Sequence, residues 1–450
     1  MKIINSDEFD AYWKNAAKQS YDDKTETAVR EIIAAVRDSG DAAVRDFASR
    51  FDKSSPQRLE VSFSAARGTL DHLRKNDPDL TFAMELAARH ICSFSRKQRE
   101  QFSGFEYQME EGLFTGQRVI PVERAAVYVP GGRFPLFSSV FMALIPALCA
   151  GVEEVILSSP PLEDGIPDPK ILAAAAIAHN VVFESNLNAV SKPRLFAIGG
   201  AQAIAALAFG TESVPKVDVI VGPGSRFVAM AKKQLFGQSG IDFIAGPSDV
   251  LIITERRGNS VEDPLVKHSL PEIAAADMLA QAEHDPDARA RALVPDREFA
   301  DLTVAAVEKQ ITSLPTAATA RASLDNGGLI IVYKNKEEAI RIANIIAPEH
   351  LEVQTVDAQD WIPYLKNYGS IFIGVLAAEV MGDYSAGINH ILPTSGSARF
   401  TGGLSVRHFL KTFTTLRCTP GSGFTNTKKA AELLAGAEGL AAHAESARVR

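Results

Sequence analysis

The stretch LFAIGGAQAIAALAFGTESVPKVDVIVGPG, from Leu195 to Gly224, holds the pattern that decides the fold. An apolar run ends at the glycine turn IGG, an alanine-rich helical segment is closed by Gly210, and a second apolar run ends at the turn GPG. Upstream, the apolar run AAVYVP (125–130) enters the turn PGG in the same way. Strands and helices that alternate in this manner predict a parallel sheet of the doubly wound α/β type.

The glycine turns PGG, IGG and GPG each follow a predicted strand. Ligands of doubly wound sheets bind at the carboxyl ends of the strands, so we expect a ligand at the edge where these turns meet. A plain reversal of the chain explains any one turn equally well. The sequence contains no GxGxxG, so the usual dinucleotide fingerprint is absent and a nucleotide would have to be held in another way.

A second set of alternating segments extends from IDFIAGPSDVLIITE (241–255) to SIFIGV (370–375) and predicts a second α/β unit of similar size. Within it, Ser269-Leu-Pro-Glu has the spacing of a capping box and opens a helix. Near the end of that helix, Gln281 and His284 share one face because they are three residues apart.

The two ends of the chain have weaker patterns. Residues from about 1 to 110 are predicted to be helical, because apolar side chains recur at helical spacing in segments such as AVREIIAAVR (28–37). The last 50 residues are predicted to begin as a loop and to finish in a helix from Lys428 to Ala444. That helix could reach a partner chain.

The composition excludes several classes of protein. The chain has 450 residues, 46% hydrophobic and 23% charged, which predicts a globular protein of about two to four domains. Its net charge of −8 does not suit nucleic acid or an anionic membrane surface. The N-terminus lacks the apolar core of a signal peptide, and the apolar run 136–151 is short of a membrane span. Three scattered cysteines fit a reducing cytoplasm.

Four pairs of polar residues stand near predicted element ends, namely Gln281/His284, Glu349/His350, Asp383/His390 and Glu438/His443. The third pair lies in MGDYSAGINHILPTSGSARFT (381–401), which glycine and proline shape into a loop. Asp and His are metal-ligand types, and Glu and His serve as general bases. Simpler alternatives remain at this point, because Asp383 could cap a helix and the Glu-His pair could be incidental.

Seven motifs, spread from about residue 25 to 445, resemble those of the histidinol dehydrogenase family. The motifs are VYVPGG (127–132), IGGAQAIAALAFGTESVPKVDVIVGPG (198–224), AGPSDV (245–250), LAQAEHDPDA (279–288), APEHLEV (347–353), GDYSAGINHILPT (382–394) and EGLAAH (438–443). Several are long and almost uninterrupted, so chance similarity is excluded.

The resemblance implies an α/β fold with two incomplete Rossmann-like domains and small terminal segments, in an intertwined homodimer with shared active sites. The implied division is an N-terminal helical segment 1–25, a larger α/β domain 26–127 with 245–400, a Rossmann-like NAD-associated domain 128–244, and a tail 401–450 that contributes to the partner subunit's site. The alternating pattern agrees with two α/β units but does not by itself indicate the exchange of segments.

The resemblance also implies a zinc ion and an NAD-linked reaction. Gln281, His284 and Asp383 of one subunit and His443 of the other would hold the zinc, which would mainly position the substrate. His350 would take the alcohol proton while a hydride leaves for NAD, and Glu349 would activate a water for a second oxidation. The implied reaction converts L-histidinol through L-histidinal to L-histidine in histidine biosynthesis and reduces two NAD.

Further positions match contacts of the family with its small-molecule substrate and its nucleotide. The implied substrate-binding residues are Ser248, Tyr384, His390 and Glu438. The implied cofactor-binding positions are Tyr128, Pro130, Ser138, Gln202 and Ser225. At the last of these the family usually has Asn, so the shorter serine side chain could lose a nucleotide contact.

Other departures from the family pattern bear on the substrate. Arg133-Phe134-Pro135 replaces the usual Ser-Ala-Pro, residues 179–194 resemble an insertion, and FTGGLSVRHFLK (400–411) replaces an aromatic-Ser-Ser run. An added arginine suits an anionic substrate, so one alternative is a paralogue that oxidises another small polar primary alcohol such as dihydroxypropanesulfonate. A catalytically silent binding protein on the same scaffold, or a purely structural zinc, fits less well, because every proposed ligand and both bases are present.

Overall fold

The protein is an α/β structure built on three sheets. The structure is a computed structural model that describes residues 1–16, 23–131, 135–184, 192–256 and 266–450. Its strands are β1 (Lys2–Asn5), β2 (Glu60–Val61), β3 (Phe105–Glu110), β4 (Leu113–Pro121), β5 (Arg124–Tyr128), β6 (Glu154–Ser159), β7 (Arg194–Ala197), β8 (Val219–Val221), β9 (Gly240–Ile241), β10 (Asp249–Thr254), β11 (Arg289–Val294), β12 (Leu329–Val332), β13 (His350–Gln354), β14 (Ser370–Ile373) and β15 (Leu410–Cys418).

Helices lie between most of these strands. They are α1 (Phe9–Ala16), α2 (Asp23–Phe51), α3 (Phe63–Asn76), α4 (Pro78–Glu100), α5 (Ser138–Ala150), α6 (Pro169–Phe183), α7 (Gly200–Phe209), α8 (Arg226–Leu235), α9 (Leu270–Ala282), α10 (Arg297–Ile311), α11 (Ala317–Gly327), α12 (Lys336–Ile346), α13 (Glu379–Tyr384), α14 (Ser422–Ala437) and α15 (Ala441–Arg448). The predicted capping box at Ser269 is confirmed at the start of α9.

The first six-stranded sheet has the order β2-β7-β6-β5-β8-β9, and all its pairs except β2 with β7 are parallel. The predicted doubly wound parallel sheet is therefore confirmed. Alternate residues of β5 belong to different apolar clusters, with Val127 on one face and Ala126 on the other, so helices cover both faces. The turns IGG and GPG follow β7 and β8, and PGG begins after β5 but extends beyond the described residues.

The second six-stranded sheet has the order β1-β12-β11-β10-β13-β14 and is parallel throughout. Val250 and Leu251 of β10 belong to apolar clusters on opposite faces, as expected for a sheet that is buried on both sides. Two of its strands matter most for function, because β10 and β13 are neighbours and start at Asp249 and His350.

The prediction that residues 1–110 are helical is wrong at both ends and at the short strand β2. Lys2–Asn5 is an edge strand of the second sheet, where it pairs with β12, and Phe105–Glu110 is a strand of a third, antiparallel sheet ordered β15-β4-β3. The four residues Lys-Ile-Ile-Asn carry too little pattern to predict a strand. Their conformation is set by pairing with a segment more than 300 residues away in the sequence, which no local propensity reports.

The end of the chain also differs from its prediction. Residues 401–450 contain the long strand β15 as well as a loop, and the single helix predicted for 428–444 is two helices. Gly439, with φ +78°, separates α14 from α15 because this backbone conformation favours glycine and ends a helix.

Sheet membership groups the early helices with the first sheet. Helices α2, α3 and α4 pack against α7, α6 and α5, and β2 pairs with β7. The domain division 1–25, 26–127 with 245–400, 128–244 and 401–450 stays a prediction, since sheet membership alone does not define domains. Within the described parts of the chain, we find no helix long and apolar enough to cross a membrane.

Candidate active site

The candidate active site lies at the amino ends of β10 and β13, not at the carboxyl edge where ligands of parallel sheets usually bind. Asp249 and His350 are the first residues of these adjacent strands, and Glu349 directly precedes β13. The helix α9, which follows β10, returns towards the same edge and ends with Gln281 in its last turn. The strand starts and the helix end therefore bring these residues to one region.

Polar side chains alternate along β13. His350, Glu352 and Gln354 point to one face of the sheet, because successive strand residues point to opposite faces. Leu351 and Val353 point to the other face and belong to an apolar cluster. All five residues are buried, so three polar side chains share one buried face. The alternation is present in the sequence, but only Glu349 and His350, at its start, were predicted to be functional.

His350 lies between two carboxylates. Its Nδ1 is 3.1 Å from Oε1 of Glu379, and its Nε2 is 3.4 Å from Oδ1 of Asp383. Both acids lie on the short helix α13, four residues and thus about one turn apart. Burial alone would lower the pKa of His350, but the charges of Glu379, Glu349 and Asp383 raise it well above its usual value.

Glu349 is held by Asp249 of the neighbouring strand. The Glu349 N–H donates to Oδ1 of Asp249 at 3.2 Å, and the Asp249 N–H donates to Oε2 of Glu349 at 3.1 Å. Arg291 completes the arrangement by donating to the other oxygen of Asp249 at 2.9 Å. Burial raises the pKa of Glu349 to about 8, which makes it a stronger base than an exposed carboxylate.

The structure also adds a residue that the sequence analysis missed. Glu379 is buried and lies close to His350, and burial raises its pKa to about 8. A signal for it existed, because Glu379 and Asp383 have the i, i+4 spacing of one helix face. The pair predicted instead, Asp383 with His390, is joined through the backbone. His390 Nδ1 donates to the Asp383 carbonyl oxygen at 2.8 Å.

Among the described residues at this edge, Oε1 of Gln281 and Oε2 of Glu379 are buried and have no hydrogen-bond partner. The ring nitrogens of His350 and Oδ1 of Asp383 are buried as well, and their ion-pair contacts with one another and with Glu379 lack hydrogen-bond geometry. Buried polar groups without partners are costly, so a group of them points to a ligand that satisfies them. Nitrogen and oxygen donors with an excess of carboxylates fit a divalent cation such as zinc.

Two arrangements of metal ligands can be drawn from this cluster. His350, Glu379 and Asp383 offer ligand atoms within 4.8 Å of one another. However, the two acids contact opposite nitrogens of the ring, whose lone pairs diverge, so one ion would require one of these contacts to break. In the arrangement implied by the resemblance, Asp383 and Gln281 are ligands and His350 stays free. The unpartnered Oε1 of Gln281 favours this second arrangement.

His284 is exposed and lies just beyond α9. Burial would raise the pKa of Asp383, but the close contact with His350 and the charge of that ring lower it below its usual value. Tyr384, next to Asp383, is about half exposed. His390 Nε2 is 3.2 Å from Oγ of Ser139 on α5. His390 therefore connects the loop after α13 to a helix of the first sheet.

The remaining substrate and metal candidates are separated into two places. Ser248 is half-buried directly before β10, where its carbonyl oxygen accepts from the Arg289 N–H at 3.0 Å. Glu438 and His443 are exposed near the end of the chain, on or next to the helices α14 and α15, which pack on each other. Within the described residues of this single chain, no hydrogen bond or ion pair joins them to the cluster around His350.

The cofactor candidates lie at the carboxyl edge of the first sheet. The Tyr128 hydroxyl, at the end of β5, accepts from the Gly200 N–H at 3.0 Å. Gln202 is buried in the first turn of α7, next to Asp52. The other candidates are Pro130 after β5, Ser138 at the start of α5 and Ser225, the exposed N-cap of α8. Arg133, Phe134 and part of the segment 179–194 lie outside the described residues.

Gly382 fixes the position of α13 against β14. A Cβ atom at Gly382 would be 2.6 Å from Cε1 of Phe372 and 2.8 Å from Cδ1 of Ile388. We expect Gly382→Ala to destabilise the fold by about 1–3 kcal/mol and to weaken binding of any metal ion that Asp383 holds, since α13 must shift and carries Asp383. Thermal unfolding and metal analysis measure both effects. Gly436→Ala is the control, because nothing lies within 4 Å of its Cβ, and equal behaviour of the two variants would contradict the prediction.

The fold and the site together define an α/β enzyme with a buried acid–base centre. A family model described as "Histidinol dehydrogenase" matches residues 15–450. A histidinol dehydrogenase of Pseudomonas syringae is 41% identical over 434 residues, which cover 95% of this chain and 90% of that protein. One of Thermus thermophilus is 42% identical and covers 96% of both chains.

A solved structure gives the same result. The crystal structure of histidinol dehydrogenase from Elizabethkingia anophelis superposes with a TM-score of 0.85 at 32% identity, covering 98% of this chain and 95% of that one. The chain belongs to the histidinol dehydrogenase family. The predicted resemblance, the mixed α/β fold and the assignment to an NAD-dependent oxidoreductase family are thereby confirmed.

Proposed function

We propose that this protein oxidises L-histidinol through L-histidinal to L-histidine, with reduction of two NAD, as a step of histidine biosynthesis. The observation that carries the proposal is the buried Glu349–His350 pair in a chain that belongs to the histidinol dehydrogenase family. Two successive oxidations require two proton acceptances, and two adjacent groups of different chemistry can supply them.

Zinc is proposed as the resident metal. Gln281, His284 and Asp383 would hold it together with His443 of the partner subunit. Oε1 of Gln281, which is buried without a hydrogen-bond partner, and the buried Oδ1 of Asp383 support this assignment. When bound, the ion would supply an electrophilic anchor that positions the substrate.

His350 is proposed as the base of the first oxidation. It would act in its neutral form, which is populated as the pH rises through its raised pKa, and would accept the alcohol proton as a hydride moves from the carbinol carbon to NAD, which leaves an amino aldehyde. Glu379 beside Nδ1 would fix the orientation of the ring, so that Nε2 is the nitrogen that faces Asp383 and the substrate. Ser248, Tyr384, His390 and the partner's Glu438 would contact the substrate.

Glu349 is proposed as the base of the second oxidation. It would take a proton from the water that adds to the aldehyde, and the hydrate would then lose a second hydride to a second NAD. Tyr128, Pro130, Ser138, Gln202 and Ser225 would contact the nucleotide at the edge of the first sheet. A base acts in its ionised form, and burial raises the pKa of Glu349 to about 8. Oxidation of added aldehyde should therefore become faster as the pH rises through this value.

An intertwined cytoplasmic homodimer, with two incomplete Rossmann-like domains in each subunit, is proposed as the working form. Supporting this, the tail carries large exposed apolar side chains, with Leu433 and Leu434 of α14 exposed by 64% and 67%. Apolar surface of this kind favours contact with a second chain. His443 is exposed, and no described hydrogen bond or ion pair joins it to the cluster in its own chain, as expected for a ligand donated to a partner.

The paralogue that oxidises dihydroxypropanesulfonate gains no support. The relatives named above are histidinol dehydrogenases. Arg133, the residue that motivated an anionic substrate, lies outside the described residues.

The test is the yield of NADH from a limiting amount of L-histidinol with zinc-loaded protein. About two NADH per histidinol, with histidine as product, is expected from the reaction proposed above, and Glu349→Gln should lower oxidation of added L-histidinal more than oxidation of the alcohol. The amide keeps the size of the side chain and removes the base. Equal loss of both steps would contradict the water-activating role, and no NADH from histidinol would overturn the proposed substrate.

A further inference from the structure

A polar network of Asp277, Glu352 and Gln354 lies next to His350, on the same face of β13. Glu352 of β13 is only 1% exposed, and its two carboxyl oxygens have different partners. Oε1 accepts from the Glu379 N–H at 2.7 Å, and Oε2 accepts from Nε2 of Gln354 at 2.7 Å. Gln354 Nε2 also donates to Oδ2 of Asp277 at 2.7 Å.

The carboxyl groups of Asp277 and Glu352 are neighbours, because Nε2 of Gln354 donates to both of them. Two neighbouring carboxylates repel each other, which disfavours the charged form of each. Burial raises the pKa of Glu352 well above its usual value, and the neighbouring charges of Asp277 and Glu379 raise it further. The network therefore places two neighbouring carboxyl groups on one amide donor, with Glu352 and Gln354 buried and Asp277 half-buried.

The network joins three elements that carry proposed site residues. Asp277 lies on α9, one helical turn before Gln281. Glu352 and Gln354 lie on β13, on the same face as His350. The Glu379 N–H begins α13, which carries Asp383. Each of these elements supplies a different group to the site, and the network is a direct hydrogen-bonded connection between them.

The helix α13 depends on such an anchor. It has six residues, and a helix of this length is not stable without tertiary contacts. Gly382 packs against Phe372 in its middle, and Glu352 accepts the first N–H of the helix. An apolar residue of the same size at position 352 would pack equally well but would leave this N–H without a partner. Packing alone therefore does not account for a carboxylate at this position.

We propose that Glu352, held by Asp277 and Gln354, is a positioning residue that fixes Asp383 and Glu379 relative to His350 and Gln281. It touches neither substrate nor metal and acts through α13. This inference rests on the proposed function, because it concerns the metal ligands and the base assigned there.

The test compares Glu352→Ala with Glu352→Gln in the full-length zinc-loaded protein. Glu352→Ala removes the acceptor for the Glu379 N–H, so zinc affinity and kcat at saturating zinc should each fall by about 10- to 100-fold. Glu352→Gln keeps an acceptor oxygen and should recover most of both. The KM for NAD should change less than about twofold, because the proposed nucleotide edge belongs to the other sheet. Competition with a chromogenic chelator measures zinc affinity.

Val353→Ala is the matched control. Val353 is the next residue of the same strand, is fully buried and faces the opposite side. Its truncation should lower thermal stability without lowering zinc affinity. Unchanged zinc affinity and kcat in Glu352→Ala, or equal losses in Val353→Ala, would overturn the proposal.

A second variant covers the case in which Glu352→Ala does not fold. Gln354→Met keeps the volume and removes the donor that joins Asp277 to Glu352, so zinc affinity should still fall several-fold, and unchanged affinity would overturn the proposal. Failure of the proposed function is distinguishable, because the wild-type protein would then bind no zinc or produce no NADH from histidinol. If the wild type binds zinc and produces NADH, and the network variants do the same, only the positioning role of Glu352 is refuted.

Discussion

His350→Asn should lower kcat for histidinol oxidation by about 10²- to 10⁴-fold, the range expected when a general base is lost. The asparagine side chain can still contact Glu379 but accepts no proton at neutral pH. Zinc should stay bound, because the proposed ligands are Gln281, His284 and Asp383 with the partner's His443. Single-turnover NADH formation and metal analysis of the same sample measure both properties.

This variant also decides between the two metal arrangements. If His350, Glu379 and Asp383 held the ion, His350→Asn would lose zinc together with activity. His179→Asn is the matched control. His179 is a histidine on α6 packed between Phe63 and Phe183, away from the site, and its replacement should leave turnover and zinc unchanged. Normal turnover by His350→Asn would remove its role as the base.

The sequence predicted the units of the fold better than their arrangement. Glycine turns at 199 and 222, with alternating apolar runs, are local features, and the sheet they predict is present. The strand at Lys2–Asn5 depends on a partner at Leu329–Val332, and a local window contains no trace of that pairing. Non-local pairing also decides that Asp249 and His350 begin adjacent strands, which places the site at the amino edge.

In the candidate site as well, features with a local sequence pattern were predicted, and features that depend on the folded chain were not. Motifs identified Glu349, His350, Gln281 and Asp383. The structure brings His350 next to Asp383, with Glu349 before His350 in the chain, and places Gln281 at the end of α9. Glu379 and Glu352 were missed because a glutamate in a helix or a strand has no distinctive local pattern. Their importance comes from burial beside His350 and beside the start of α13, and burial is a property of the folded chain. In the sequence, only the alternation of polar residues in HLEVQ (350–354) indicated that Glu352 shares a strand face with His350.

Mixing His443→Ala with Asp383→Asn should restore activity that neither variant has alone. If each site takes Asp383 from one subunit and His443 from the other, every mixed dimer contains one intact site and one doubly damaged site. Equal amounts with free exchange give about half mixed dimers, so about a quarter of wild-type activity is expected. Zinc content should recover in proportion.

The control for this experiment is a mixture of Asp383→Asn with Gln281→Ala. Both substitutions affect ligands assigned to the same subunit of a site, so no mixed dimer contains an intact site and activity should stay absent. Co-purification of differently tagged chains verifies exchange in both mixtures. Recovery in the first mixture alone requires that His443 crosses to the partner, which would explain why this residue is exposed and has no described contact with the cluster in its own chain. Absence of recovery in both mixtures, with exchange verified, would mean that each chain builds its site without the partner's tail.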